Sequence, residues 1–586
     1  MSGNRTVGII PDSKGPAVTG GSIRGGRGPR KWWQLGGEDV SHLPIDADDG
    51  LFSSRLSLEE ASKQQSKTEC RPVAPGAHEV YKPVDGFEGA HRFDPAAKWT
   101  DEEEQALVRK VCFPMNRLSS LNNVLGINSI QAAKVDKSRT GHLSGDLGMN
   151  TNDYNNGMTI FYCSFLFAEL PSQLISKKLG PDTWIPIQMV SWSIVAASQA
   201  ALPRGGTAFY VTRFLMGLLE GGFIPDTVLY LSYFFTNAEL PRRLSWFWAS
   251  FQSTQIVSAF LAYGLLHLRG KGSLQQGWRY MFLVEGVFTG LVGVWTWMYL
   301  PASPTQTTRG RYKGLFRPKK GWFTPREEVI MVTRVLLDDP GKATMHNRQG
   351  LNWELFWNAL TDYHLWPIYL LGVTLSIPVT PPKAYLTLTC KALGFDTFET
   401  NLLTIPADTL FIVQVLFWTW LSEKINQRLL IGMIAQAWTL PLLVALAVLP
   451  HAFPNSIWSR WAITTLLVGH PYCHAVLVAL ASRNAGSVRT RTVGSSLYNM
   501  SSQIASIISS QMYRESDKPY YYQGNRMLLG VLAWNVVLIV ALKAYYVLVN
   551  KRRDGIWWSM TREQRVHYLA TTRDEGNKRL NFRFGH

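Results

Sequence analysis

The feature that most constrains this chain is the stretch 207–235, TAFYVTRFLMGLLEGGFIPDTVLYLSYFF, which is almost entirely apolar. About twenty consecutive apolar residues cross the hydrocarbon core of a bilayer as a helix, so this stretch is long enough to span a membrane with tilt. Arg213 and Glu220 lie seven residues apart within it and share one helix face. Gly217 and Gly221, at steps of four from Arg213, predict the close approach of a second helix.

The intramembrane charges have two interpretations. Arg213 and Glu220 either neutralise each other as a structural pair or take part in function, as charges at bilayer depth usually do. The sequence leaves both open.

Apolar residues come in eleven such blocks, which predict an all-α, polytopic membrane protein. The predicted spans are 157–175, 183–202, 207–230, 244–268, 278–300, 363–379, 402–421, 429–449, 461–481, 493–513 and 527–549. The 22 Trp and 22 Tyr suit two interfacial belts. Insertion depends on these internal spans, because the N-terminus has no apolar secretory signal.

The net charge of +17 lies largely in short segments beside the spans. This is the positive-inside pattern of a membrane protein and argues against nucleic-acid binding. The segments concerned contain Lys177 and Lys178, Arg242 and Arg243, Arg489 and Arg491, and Lys551 to Arg553.

The remaining segments complete a domain plan. We predict a disordered cytosolic arm over 1–110 with a short helix in WTDEEEQALVRKV, a degenerate first-helix region over 111–156, and a membrane bundle over 157–300. A basic cytosolic loop (301–362), a second bundle (363–549) and a cytosolic tail (550–586) follow. In the loop, Thr324 and Glu327 form a predicted capping box and Pro325 takes the first helical position.

The two halves are weak repeats at an offset of about 246 residues, as when Arg242 and Arg243 correspond to Arg489 and Arg491. Parallel repeats of six spans are a known transporter plan, with the substrate site between the halves. The offset predicts a first span near 116–138, but that segment is rich in amides and charges. Eleven spans would place the two termini on opposite sides of the membrane.

Taken together, these segments resemble the major facilitator superfamily, specifically the fungal anion:cation symporter branch that includes allantoate and vitamin permeases. The resemblance covers roughly 145–586. It rests on GDLGMNTNDYNNG, LPSQLISKKLGP, RFLMGLLEGGFIPDTVLYLSYFF, GWRYMFLVEG, WFTPREEVIMVTRVLLDDP, DYHLWPIYLLG and DEGNKRLNFRFGH. It implies two six-helix bundles, cytosolic termini, and alternating access that moves small organic anions into the cell with protons.

The chain departs from the family pattern twice. Lys177 and Lys178 stand where the loop usually has an acidic residue, and the usual first helix, with its acidic, arginine and asparagine cluster, is missing between 111 and 140. We favour a misread exon over divergence as the source of the second departure.

Proton coupling needs a buried group that gains and loses a proton. Four carboxyls qualify, each with a structural alternative: bracing a loop for Glu169, pairing with Arg213 for Glu220, pairing with Arg279 for Glu285 and helix capping for Asp408. For the substrate we select one cation and several amides and rings: Arg213, Gln252, Gln255, Tyr385, His470, His474, Asn499 and Gln503. Hydrogen bonding between helices is the alternative for Asn499 and Gln503.

His470 and His474 lie one turn apart but lack a third metal ligand, and Pro471 between them predicts a break in the helix. The five cysteines are odd in number and unpatterned, so neither a disulfide framework nor a zinc site is predicted. We expect no metal and no cofactor.

The sequence thus predicts a multi-pass carrier in the lipid bilayer of the plasma membrane, not an enzyme. It would act as a monomer and import a small organic anion, such as allantoate, ureidosuccinate or a vitamin-type carboxylate, by proton symport. The alternatives are a drug or metabolite exporter and a non-transporting receptor or defective paralogue.

Overall fold

A computed structural model gives the fold of the chain. It describes residues 83, 87, 89–111, 143–236, 239–268, 274, 276–308, 315, 317–338, 357, 360–425, 427–452, 457–485, 488–518, 520–572, 574 and 576–586. The predictions for most of the N-terminal arm and for the first-helix segment 116–138 lie outside these residues.

The described residues form helices and no β-strand. In chain order these are α1 (101–111), α2 (Leu143–Leu147), α3 (Thr151–Leu179), α4 (Pro181–Ser198), α5 (Gly206–Glu220), α6 (Phe223–Ser232), α7 (Leu240–Leu266), α8 (Gly277–Tyr299), α9 (Pro325–Asp338), α10 (Trp366–Thr374), α11 (Thr380–Ala384), α12 (Leu386–Ala392), α13 (Thr397–Leu402), α14 (Ile405–Ile425), α15 (Arg428–Ala452), α16 (Ile457–Val468), α17 (His474–Asn484), α18 (Val488–Ser510), α19 (Tyr522–Ser559) and α20 (Arg562–Thr571).

Each of the eleven predicted spans is helical. Five helical segments are long and apolar enough by themselves to cross a membrane: Thr151–Ser176, Gly277–Tyr299, Glu399–Ser422, Arg428–Val448 and Tyr522–Ser559. Three other spans are interrupted, between α5 and α6, between α10 and α12, and between α16 and α17.

The first described span begins earlier than predicted, at Thr151 rather than 157. Asn150 caps it, because its side chain accepts from the backbone N–H of Asp153 and the Asp153 carboxylate accepts from the N–H of Asn150, both at 2.9 Å. This reciprocal pair satisfies two N–H groups that a helix start otherwise leaves open, so the helix extends by nearly two turns.

Helices α3–α8 form an N-terminal half and α10–α19 a C-terminal half. Within the N-terminal half, α3 lies directly against the glycines of α5. A Cβ atom on Gly217 would lie 2.3 Å from the carbonyl oxygen of Phe161, and one on Gly221 would lie 2.4 Å from that of Phe165. The predicted close approach is confirmed. The halves contact each other where α3 meets α18 and where α7 meets α14.

Two segments outside the spans cover one end of the bundle. We call it the basic end, because α7 begins there with Arg242 and Arg243 and α19 ends there after Lys551 to Arg553. Helix α1, predicted in WTDEEEQALVRKV, buries Leu107 and Val111 in the same apolar core as Met331 of α9. Buried Arg334 of α9 binds Glu239 at 3.0 Å and Glu104 of α1 at 3.5 Å. We call α1 and α9 together the arm clamp.

The C-terminal tail covers the other half at the same end. Phe582 and Phe584 are buried, and the ring of Phe584 stacks on Tyr546 with centroids 5.0 Å apart. Helix α20 begins with a capping box of Thr561 and Gln564, as α9 begins with the predicted box of Thr324 and Glu327. The repeat between the halves therefore continues beyond the last span of each.

Candidate functional site

The two interrupted spans of the C-terminal half meet near the middle of the bundle. Helix α16 ends at Val468 and α17 begins at His474, so the break predicted at Pro471 is confirmed. A Cβ on Gly469 would lie 2.7 Å from the side chain of Leu410, which means that the break lies directly on α14. Interrupted helices leave backbone groups free to meet a substrate, so this is the first place to look for one.

A lysine surrounded by rings lies at this break. The ammonium of Lys383, on α11, lies 4.8 Å from the ring centroid of Phe411 on α14. Phe411 in turn contacts His470 and Tyr472, with centroids 5.7 and 4.9 Å apart. Lys383 also interacts electrostatically with buried Asp408. We call this group, together with His474, the Lys383 cluster.

The imidazoles of the cluster are oriented by hydrogen bonds. His470 Nδ1 lies 3.1 Å from the carbonyl oxygen of Val468, so Nδ1 carries the hydrogen and Nε2 is the acceptor of the neutral ring. His474 is hydrogen-bonded to the Asn499 side chain, and its ring lies 5.8 Å from that of Tyr472. The cluster therefore combines one cation with oriented polar edges inside an aromatic wall.

This composition suits a small anion. An ammonium held in a low-dielectric site attracts a carboxylate far more strongly than it would in water. The half-buried rings of Tyr472 and His474 add apolar contact for the body of such a molecule. Within the part of the chain that the structure describes, no three His, Cys, Asp or Glu side chains converge as metal ligands.

The opposite end of the bundle, which we call the tyrosine end, is closed by three aromatic rings. Tyr513 and Tyr521 stack with centroids 4.4 Å apart, and Tyr385 packs edge-on against both. The hydroxyl of Tyr385 donates to the side-chain oxygen of Asn155, whose amide nitrogen donates to the carbonyl of Tyr513 at 2.7 Å. Asn155 belongs to the N-terminal half, so this tyrosine gate joins the halves.

Further bonds between the halves lie at the same end. Thr159 and Ser510 lie 2.8 Å apart through their hydroxyls, and the backbone N–H of Thr151 donates to Glu515 at 2.9 Å. Among the described residues, the hydrogen bonds that cross between the halves gather here. The bundle is therefore shut at the tyrosine end.

Two interlocked helical halves, with interrupted spans around a central polar cluster, are shared with known transport proteins. A family model described as the Major Facilitator Superfamily matches residues 140–510. The chain belongs to the major facilitator superfamily.

Relatives and solved structures agree with this assignment. The chain is 41% identical over 501 residues to the uncharacterized transporter YIL166C of Saccharomyces cerevisiae, covering 86% of this chain and 91% of the relative. It is 24% identical over 432 residues to the MFS transporter prlL of a fungal species, covering 72% and 82%. Its fold is similar to that of the proton:xylose symporter XylE, with a TM-score of 0.53 at 14% identity over 73% of this chain and 95% of that one.

This facilitator is thus a multi-pass membrane transporter and not an enzyme. Of the residues selected from its sequence, the structure brings Asp408, His470 and His474 together in the Lys383 cluster, with Asn499 beside them. Tyr385 lies in the tyrosine gate instead. Gln503 lies half-buried on α18 and Gln255 on α7; the side chain of Gln252 is outside the described set.

The remaining candidates lie in the N-terminal half. Buried Arg213 donates to Gln199, stacks on Phe209 at 5.3 Å and interacts electrostatically with Glu220. Both Glu220 and Glu285 are buried. Arg279, the expected partner of Glu285, donates to the carbonyl oxygens of Ala200 and Leu202, at 2.6 and 2.8 Å respectively. A contribution of these groups to transport remains a prediction from the sequence.

Sequence reasoning passed over three residues that the structure makes prominent: Lys383, Asn155 and Asp226. Asp226 lies within the predicted span 207–230, where the cost of an intramembrane charge could have marked it. Lys383 lies four residues beyond the predicted span 363–379, so the same signal did not reach it. Asn155 carried no such signal, because an amide near a helix start is ordinary. Its role depends on partners more than 200 residues away.

Proposed function

We propose that this transporter imports a small organic anion together with protons, by alternating access across the plasma membrane. The observation that carries the proposal is the Lys383 cluster: a lysine on an interrupted helix, walled by Phe411 and Tyr472, near the middle of the bundle. A half-buried lysine at membrane depth is costly for a protein to keep, and a carboxylate substrate would add to Asp408 in offsetting its desolvation.

The closed end of the bundle can be assigned to one side of the membrane. The positive-inside rule favours a cytosolic basic end, which makes the tyrosine end the extracellular one. With the tyrosine gate closed, a substrate held at the Lys383 cluster would leave toward the cytosol. Return to the outward-open state would require the bonds of Asn155 to break.

The resemblance to the anion:cation symporter branch supports the substrate class. Allantoate, ureidosuccinate, nicotinate, biotin and pantothenate are small acids of a size that a lysine within an aromatic wall can hold. Proton coupling agrees with the four buried carboxyls selected from the sequence, Asp408 beside Lys383 and Glu169, Glu220 and Glu285 in the N-terminal half. A monomer suffices, since one chain supplies every residue of the Lys383 cluster.

The proposal is tested by uptake. Cells that express the chain are given these five labelled acids at external pH 5, and again at pH 7.5 with a proton uncoupler. We expect one acid to accumulate at pH 5 and to lose its accumulation with the gradient. Lower accumulation than in control cells would indicate an exporter, and no flux with the protein at the cell surface would indicate a receptor or defective paralogue.

A further inference from the structure

A pair of buried carboxyls lies in the N-terminal half, outside the Lys383 cluster. Glu169 on α3 is 1% exposed and Asp226 on α6 is fully buried. The two groups act on each other electrostatically as like charges. Isolated carboxylates are too costly to keep ionised in such a place, so each needs a cation, hydrogen bonds or a proton.

Cations do not fill this need within the described part of the chain. Arg213 of α5 is engaged by Gln199 and Glu220, and Arg317 donates to the backbone carbonyls of Leu300 and Gln306. The charged side chain in the first turn of α4 is Asp182, which is an acid and so cannot neutralise the pair. No described cation is among the groups that act on either carboxyl.

Hydrogen bonds fill it only in part. The hydroxyl of Ser172 accepts from Trp184 Nε1 and Gln188 Nε2, both at 2.9 Å, so its one hydrogen is left to point at Asp226 Oδ2, 3.5 Å away. The buried hydroxyl of Ser176 is a second hydrogen-bond donor to Asp226. Both carboxyl oxygens of Glu169 have no hydrogen-bond partner among the described residues, so two buried oxygens await a hydrogen.

The surroundings hold the pair in place. A Cβ on Gly222 would lie 1.8 Å from Ser172 Oγ, so α3 and α6 are in backbone-close contact at this point. The pair lies in the N-terminal half, whereas Lys383 lies on α11 of the C-terminal half.

We propose that Glu169 and Asp226 form a shared proton-binding site, and that this transporter holds its proton in the N-terminal half and its anion in the C-terminal half. This inference rests on the proposed symport function. The step is the addition of one proton to a carboxylate oxygen of the pair, which removes the repulsion between the two like charges. Because the halves move against each other in alternating access, the two cargoes are coupled through that motion.

The proposed proton-binding site can be tested without a transport measurement. Infrared spectra of the purified protein at neutral pH are compared between wild type and the double variant Glu169→Gln/Asp226→Asn, which removes both titratable groups, keeps their shape and leaves no buried charge, and so should fold. We expect the difference spectrum to show loss of a protonated-carboxyl C=O band, shifted in each single variant and unchanged in Glu563→Gln, which removes an exposed carboxylate. Loss of ionised-carboxylate bands instead would overturn the proposal.

A second measurement tests the coupling. In vesicles, the double variant should exchange the transported anion like wild type at equal pH, yet accumulate no more with an inward proton gradient than without one. Gradient-driven accumulation at the wild-type level would overturn the assignment. If wild type itself moves no anion, the proposed function fails, while the infrared result still decides whether the pair shares a proton.

Discussion

The hydroxyl of Tyr385 donates a hydrogen bond to the side-chain oxygen of Asn155, and this bond joins the two halves of the transporter at the tyrosine end. The side-chain nitrogen of Asn155 donates to the backbone carbonyl of Tyr513. One amide of the N-terminal half therefore holds two spans of the C-terminal half. Opening this end requires both bonds to break together.

Replacing this amide should loosen the gate. Asn155→Ala removes the hydrogen bonds to the Tyr385 hydroxyl and to the Tyr513 carbonyl, at a cost of about 1–3 kcal/mol each in the closed state. We expect the outward-open population to rise about tenfold or more. Spin labels at positions 204 and 526, in a background without the five native cysteines, report the separation of the two halves at this end.

The control for this measurement is Thr212→Ala, which removes a hydroxyl bonded within its own helix to Phe209. It should leave the distribution of label distances as in wild type. A closed-state distribution in Asn155→Ala equal to that of wild type would mean that the tyrosine rings and the other bonds of this end hold the gate without Asn155.

The arm clamp contains one ion pair whose arginine is buried and another that is exposed. Arg334 is 2% exposed and binds Glu239, whereas Arg326 and its partner Glu103 are 65% and 39% exposed. Arg334→Ala leaves the half-buried Glu239 and the carbonyl oxygen of Phe234 without this donor and should cost about 1–3 kcal/mol, while Arg326→Ala should cost less than about 1 kcal/mol. Thermal unfolding of the purified variants measures both, and equal losses would contradict the clamp as described.

The docked tail should weaken in acid. Burial lowers the pKa of the His586 imidazole. A backbone hydrogen bond raises this pKa, and the positive charges of Lys543 and Arg483 lower it further. The unfolded state thus binds the proton more readily, so this contribution to stability is complete above the ordinary pKa of about 6.5 and is lost as the pH falls below it.

His586→Asn cannot titrate and should remove that part of the pH dependence. The measurement is the difference in Tm between about pH 7.5 and about pH 5.5, on either side of the ordinary histidine pKa. We expect a smaller difference in the variant than in wild type. An identical difference in both would show that the tail is bound independently of His586.

Glycine substitutions should distinguish close helix contact from open surface. Gly217→Ala places a methyl group 2.2 Å from Ser164 Oγ, so α3 and α5 must separate, at about 1–3 kcal/mol. Gly530 lies in α19 with nothing within 4 Å of its Cβ position, and Gly530→Ala should stabilise the helix by about 0.5–1 kcal/mol. Opposite shifts in Tm are expected, and a neutral Gly217→Ala would contradict the packing.

Local rules were enough to predict much of the fold. Apolar length located the spans, Pro471 located the break between α16 and α17, and Thr324 with Glu327 located the start of α9. Each of these depends on residues within a few positions of one another. The close contact at Gly217 also followed, because small residues at steps of four can only serve a neighbouring backbone.

The site needed contacts that no local rule contains. The environment of Lys383 comes from α14 and from the break before α17, and Asn155 meets a tyrosine of the other half. Tyr385, selected for a substrate, lies in the gate because its hydroxyl points across the halves while Lys383, two residues earlier, faces Phe411. Spacing within one helix cannot decide between these directions.

The most direct test of the account is binding of the transported anion to purified protein with Lys383 changed. Lys383→Gln removes a charged hydrogen-bond donor worth about 1.5–3 kcal/mol, so affinity should fall about 10- to 100-fold. Lys383→Arg should retain part of it, and Lys424→Gln, on α14 beside Trp420, should match wild type. Wild-type affinity in Lys383→Gln would contradict an anion site at the Lys383 cluster.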